Sequence, residues 1–444
     1  MKQLSLREQK LAEEPFRNLH SRTSNGPQQH KSMMSTVLRF LLLGLTLTLT
    51  LIANPRPGRA GGDDDGLKLI GAISVPGKPL AVDISFVDQR SEKYYLADAA
   101  NQAVDVLDAE KDSFLGRIGA GDFHGVPAPT SAEVAFCGGP PGFDARGPSG
   151  VLVANGNRLW ATDYTGLNGH GVVKVFQLGG PNLPTSPIQT ITFDGSGNTL
   201  SAGCRADELA FDPKDHIIIV GFPETEANGI PFVALISSNP PFNVLGTIQY
   251  AGAGGMEQPL WDAKTQRLLV NVPSNAAANF PGVISVINPK LLTEEKRYVT
   301  GCAGTGLALG PLRHLLVGCG DGPDLIMNAD TGNILTTFSA SDVANSDEVW
   351  FNQGDGNFYA TSNFTTASPT LAVVDAESGA FLQGLPTAFG SHSVAAFREN
   401  NHVFVPIQWT PGKPDVCNST FGLTPGHGCI FVFANGNDEG DHGN

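Results

Sequence analysis

The chain has 444 residues, a length that fits either several ordinary domains or one large repeat domain. Its 53 glycines, 31 prolines and 16% charged residues, with 41% apolar, point to many short strands joined by turns and exclude a coiled coil. The formal charge is −15, but residues 1–60 hold nine basic and three acidic side chains. The remainder therefore carries 19 basic against 40 acidic residues, without the basic footprint that nucleic acids or anionic membranes require.

Residues 1–32 are a polar extension, and Met33 or Met34 reads as the true start. Residues 33–60 read as a signal peptide: Arg39, the apolar run FLLLGLTLTLTLIA at 40–53, and a small-residue site ending at Ala60. The run is shorter than the ~20 apolar residues of a spanning helix. The expectation is a secreted or periplasmic protein with no membrane span once the leader is removed. LKLIGAISV at 67–75 reads as a strand that belongs to no unit of its own.

From residue 79 a degenerate unit of roughly 40 to 50 residues recurs, and self-similarity at such a period marks a propeller or solenoid. DELAFDPKDHIIIV at 207–220 aligns with DEVWFNQGDGNFYA at 347–360. EQPLWDAKTQRLLV at 257–270 and HSVAAFRENNHVFV at 392–405 fit the same frame, and 149–162, 305–318 and 81–97 are more divergent copies. Near-continuous apolar third strands follow, among them AVDVLD at 103–108, VISVIN at 283–288 and CIFVFA at 429–434. Seven units result. The last, 391–434, lacks a fourth strand, and the strand at 67–75 supplies one, because closing a ring removes exposed edges. The predicted fold is all-β: a seven-bladed β-propeller over 67–435, closed by the N-terminal strand completing the last blade, with a disordered acidic tail at 436–444.

Six cysteines in an exported chain suggest three disulfides, and no C-x-x-C is present. Cys302 and Cys319 are equidistant from the turn at 310–311, so they face each other across a hairpin. Cys417 with Cys429 would close one long loop, leaving Cys137 with Cys204 to join adjacent blades. Propeller connectivity places all six on one rim.

The first residues of the inner strands should meet around the channel on that same rim. They are Asp83, Ser149, Asp207 with Glu208, Glu257 with Gln258, Thr305, Asp347 with Glu348, and His392 with Ser393. Carboxylates gathered at a narrow opening repel one another and need a cation, shared protons or buried donors. Oxygen ligands from several strands suit calcium or another divalent ion, with Asp207, Glu257 and Asp347 as ligands and Glu208, Glu348 or His392 as acid or base. Asp83, Gln258 and the loop aromatic Trp409 are candidate ligand-binding residues, whereas Trp160, Trp261 and Trp350 read as core. Asn363 and Asn418 open glycosylation sequons. No G-x-S-x-G, H-E-x-x-H, P-loop or G-x-G-x-x-G motif occurs.

ADELAFDP at 206–213, MEQPLWDAKTQRLLVNVP at 256–273, SDEVWFN at 346–352, LAVVDAESG at 371–379 and SHSVAAF at 391–397 resemble bacterial exported YncE-like propellers, and more loosely gluconolactonase-like and NHL-type blades. The looser resemblance implies a metal held by a Glu opening one inner strand with partners from others, parts that Glu257, Asp207 and Asp347 would play. The E-G-P opening of that group is absent from this chain. The expected function is a monomeric binding or scaffold module that presents a disulfide-braced acidic face to a small molecule or protein. The alternative is a divalent-metal-dependent, lactonase-like hydrolase or lyase.

Overall fold

The computed structural model describes residues 66–126, 147–155, 157–165, 170–193, 205–223, 230–362 and 368–435. The expected leader, the acidic tail, Cys137, Cys204 and the Asn363 sequon lie outside them. Seven four-stranded antiparallel sheets form a seven-bladed β-propeller. Six sheets use four consecutive strands, as in blade three: Leu209–Asp212, Ile217–Phe222, Phe232–Ser237 and Val244–Gln249. The seventh takes Ala395–Phe397, His402–Ile407 and Cys429–Asn435 from the C-terminal end and its outermost strand, Leu67–Ile73, from the N-terminal side. Leu67 pairs with Asn435 and Ile73 with Ile430. Inner strands of successive blades touch all the way round, the seventh against the first.

Strands packed between neighbouring sheets must be apolar on both faces, which accounts for fully buried third strands such as Val283–Asn288. The core is correspondingly divided. Seven apolar clusters each fill the seam between two adjacent blades, with Phe222 and Trp160 between blades two and three, and Leu316 and Phe358 between five and six. Hairpins between first and second strands turn on side-chain caps. Asp212 Oδ1 accepts from Lys214 N at 2.8 Å, and Asp262 Oδ1 from Lys264 N at 3.1 Å. The aromatic-acid pairs visible in the sequence (Phe211-Asp212, Trp261-Asp262) therefore mark the lower ends of inner strands.

Strand direction assigns the two rims. The upper rim carries the starts of the inner strands and the loops between second and third strands; the lower rim carries the hairpins just described. Cys302–Cys319 and Cys417–Cys429 are both bonded, with Cα separations of 5.7 and 5.9 Å, and both sit on the upper rim. In the second of these loops a short helix, α1 (Val416–Phe421), is capped by Asp415, which accepts from Asn418 N at 3.1 Å and Gly426 N at 2.6 Å. No helix of the described residues is long and apolar enough to cross a membrane.

Candidate functional site

The acidic pairs occupy a recurring irregularity of the backbone. In blades one, five and six the pairing between first and second strands slips by one residue, between Val82 and Ser85, Gly304 and Leu307, and Ser346 and Val349. In blades two, three and four, two residues bracket one: Thr162 O and N bond Ser149 N and Gly150 O, Gly221 does the same for Asp207 and Glu208, and Asn271 for Glu257 and Gln258. These are β-bulges, which re-aim side chains at strand ends. Without the bulge, neighbours such as Asp207 and Glu208 would point to opposite faces of the blade; with it, both remain at the channel end.

The bulges are also where the ring is knitted. Ile84 N donates to Ser149 O at 3.2 Å, Gln258 N to Thr305 O at 3.2 Å and Glu348 N to His392 O at 3.0 Å, each from one blade to the next. Gly150 and Gly306 leave no room for a Cβ against the backbone carbonyls of Asp207 and Asp347 in the following blade. This explains why glycine stands in two blades where the next carries an acidic pair.

Six carboxyl groups converge at the upper mouth: Asp83, Asp207, Glu208, Glu257, Asp347 and Glu348. Arg205 joins two of them, its Nη2 lying 3.1 Å from Asp83 Oδ2 and 2.9 Å from Asp207 Oδ1. His392 Nε2 is 3.5 Å from the other Asp83 oxygen, and His392 is buried. Burial comes first in pushing Glu208, Glu257 and Glu348 well above the ordinary glutamate range. Repulsion adds to it: Glu208 feels Glu348, Glu257 and Asp207, and Glu257 feels Asp207 and Asp347, with Arg205 opposing. Glu348 exerts the largest of these repulsions on Glu208, so the two carboxyls are close neighbours. The six carboxyls outnumber Arg205 and His392, so the mouth is a crowded acidic site. Among the described residues, no group of three or more His, Cys, Asp or Glu side chains stands in an arrangement that could hold a metal ion.

Below the carboxyls the channel widens into a cavity of about 460 Å³. Glu208 and Gln258 line its upper part; the walls are aliphatic, and Phe86, Phe211, Trp261, Trp350 and Phe351 line it toward the lower rim. Trp160 is core, as its strand position implies, but Trp261 and Trp350 are only half-buried and belong to the channel. The reading of both as core holds in part: Trp261 packs against the seam of blades three and four and Trp350 against the seams flanking blade seven, while both also line the channel, because an inner strand has open space along one edge. Phe86 packs edge-on to Trp350 at 5.9 Å.

Gln258 lines the cavity while its Oε1 accepts from Leu307 N of the next blade at 2.5 Å, so its orientation is fixed by the fold. Trp409 is half-buried, not exposed, and lies beside Gly426 in the loop braced by Cys417–Cys429. It shares the rim with the carboxyls. The Asn418 side chain donates to Leu423 O at 2.7 Å, an internal bond that a glycan on that nitrogen would break. The aromatic collar was missed in the sequence, although Phe211 and Trp261, each directly before a hairpin Asp, were part of its signal.

No family model matches the sequence, and no curated protein does. Among solved structures, the WD40 β-propeller domain of Doa1 superposes with a TM-score of 0.53 at 12% identity, covering 83% of this chain and 97% of that one. A chain in the structure of the Mitotic Checkpoint Complex gives 0.54 at 13% identity, covering 89% and 99%. At such identities the likeness is one of fold alone.

Proposed function

We propose that the protein is a binding propeller whose disulfide-braced acidic rim receives a cationic ligand or the basic surface of a protein partner. The observation that carries this reading is the convergence of six carboxyls on Arg205 and His392 beside two stapled loops. That field attracts cations and repels phosphate, so nucleic acid is not the partner. Two disulfides suit an oxidising compartment, and the reading includes export, YncE-like ancestry and action as a monomer.

The test uses hexalysine as the cationic probe, followed by fluorescence anisotropy at low and physiological salt. Asp83→Asn combined with Asp347→Asn should weaken binding at least tenfold. Glu110→Gln combined with Glu399→Gln, which removes the same charge from exposed lower-rim turns, should change it less than twofold. Equal losses from the two pairs would mean that net charge, and not the rim, binds the probe.

A second reading, a divalent-metal-dependent hydrolase or lyase, draws support from the raised Glu208 and Glu348 carboxyls in a mouth that also holds His392, groups suited to acid–base work. Asp207, Glu257 and Asp347 do not stand in a metal-holding arrangement, so as its ligands they would have to draw together around the ion. Elemental analysis after dialysis separates the two: a stoichiometric divalent ion that is lost in both Glu257→Gln and Asp347→Asn would favour the enzyme.

A further inference from the structure

The cavity beneath the acidic mouth goes beyond the rim reading, because it is apolar and faces the other opening. Its volume, about 460 Å³, falls within the range of small-molecule sites, which are mostly apolar with a few convergent polar groups. Here the polar groups are few: Glu208, Gln258 and Ser85 among some twenty lining residues. Ser85 is already bonded, accepting or donating at 2.9 Å to Ser393 Oγ, and Gln258 holds Leu307 N. Glu208 is therefore the one ionisable group among the described residues that line the cavity. Behind it stand further acids, so an anion is repelled and a neutral apolar molecule gains nothing from the carboxyl. Toward the lower rim, the half-buried rings offer flat faces, which attract cations as well as apolar bodies.

We propose that the lower channel binds a small amine in its ammonium form, with its apolar body among Phe86, Phe211, Trp261 and Trp350 and its charged head at the Glu208 carboxyl. A cationic head at that carboxyl also relieves the repulsion that Glu348, Glu257 and Asp207 exert on Glu208.

The experiment is titration calorimetry of the full chain with 2-phenylethylamine, with 2-phenylethanol as the neutral isostere and calcium chloride as a third arm. The expected result is saturable one-to-one binding of the amine and at least tenfold weaker binding of the alcohol. Glu208→Gln should weaken amine binding at least tenfold without lowering the melting temperature. Val153→Trp, which fills the cavity from the wall, should abolish it while leaving hexalysine binding at the rim intact. That second variant separates failure of this site from failure of the rim. Absence of amine binding to folded wild type, equal affinity for the alcohol, indifference to both variants, or displacement of the amine by a stoichiometric calcium ion would each overturn the proposal.

Discussion

Asp324 isolates the physics that the channel glutamates share in a crowd. It is fully buried beside the Cys302–Cys319 disulfide, accepts from Cys319 N at 3.0 Å and Ser346 N at 3.5 Å, and has no cation opposite among the described residues. Burial pushes its carboxyl up to about 7, from a usual value near 3.8. An acid whose folded pKa is raised holds its proton longer when folded than when unfolded, so its contribution to stability is complete below the unfolded value and is lost as pH rises toward the folded one. For Asp324 the window runs from about pH 4 to about pH 7, and the loss across it is on the order of a few kcal/mol. Glu208, Glu257 and Glu348 shift in the same direction. The wild type should thus melt at a lower temperature at pH 8 than at pH 4.5. Asp324→Asn and Glu208→Gln should each flatten that slope, Glu208→Gln with a gain in melting temperature at pH 8. Scanning calorimetry across pH checks both, and a steeper slope in either variant would contradict the sign. The residues themselves were legible in the sequence, since Asp207-Glu208 and Asp347-Glu348 align by eye. Their protonation was not, because it depends on how closely separate blades bring them together.

At the scale of elements, the strand Leu67–Ile73 is the one whose role depends on the far end of the chain. Leu67 and Ile73 are buried, Leu67 in the seam with blade six and Ile73 in the seam with blade one. Leu67→Asp together with Ile73→Asp should detach it, leave Cys429–Asn435 as a bare edge, and lower stability by about 3–5 kcal/mol or more, since each change buries an unpaired charge. Denaturant unfolding measures the loss, and size-exclusion chromatography should show edge-to-edge association. The strand was readable from its own pattern, and its place from an arithmetic of missing fourth strands. The bulges were not readable, because the slip of one residue follows from hydrogen bonds between strands and leaves no mark on the spacing of apolar residues. The same holds for Trp261 and Trp350: periodicity identifies them as inner-strand residues, but only the curvature of seven assembled sheets sets the width of the space they face.

At the scale of the whole molecule, the divided core sets the expectation for unfolding. Each seam is shared by two blades, so weakening one loosens two sheets and, through the closed circle, the rest. Phe222→Ala between blades two and three and Leu316→Ala between five and six, both fully buried, should cost about 3–5 and 2–5 kcal/mol. Both should retain a single transition by fluorescence and circular dichroism, whereas separate transitions would indicate that the blades melt independently. Hexalysine binding to the folded variants should be unchanged. The pairing of Leu67 with Asn435 in blade seven has one more consequence. The ends of the propeller lie side by side, so a short linker could join them and the chain could be reopened at a lower-rim hairpin such as that following Asp262. Such a circular permutant would keep every seam and both rims, and the order in which blades leave the ribosome could be changed without altering what they enclose.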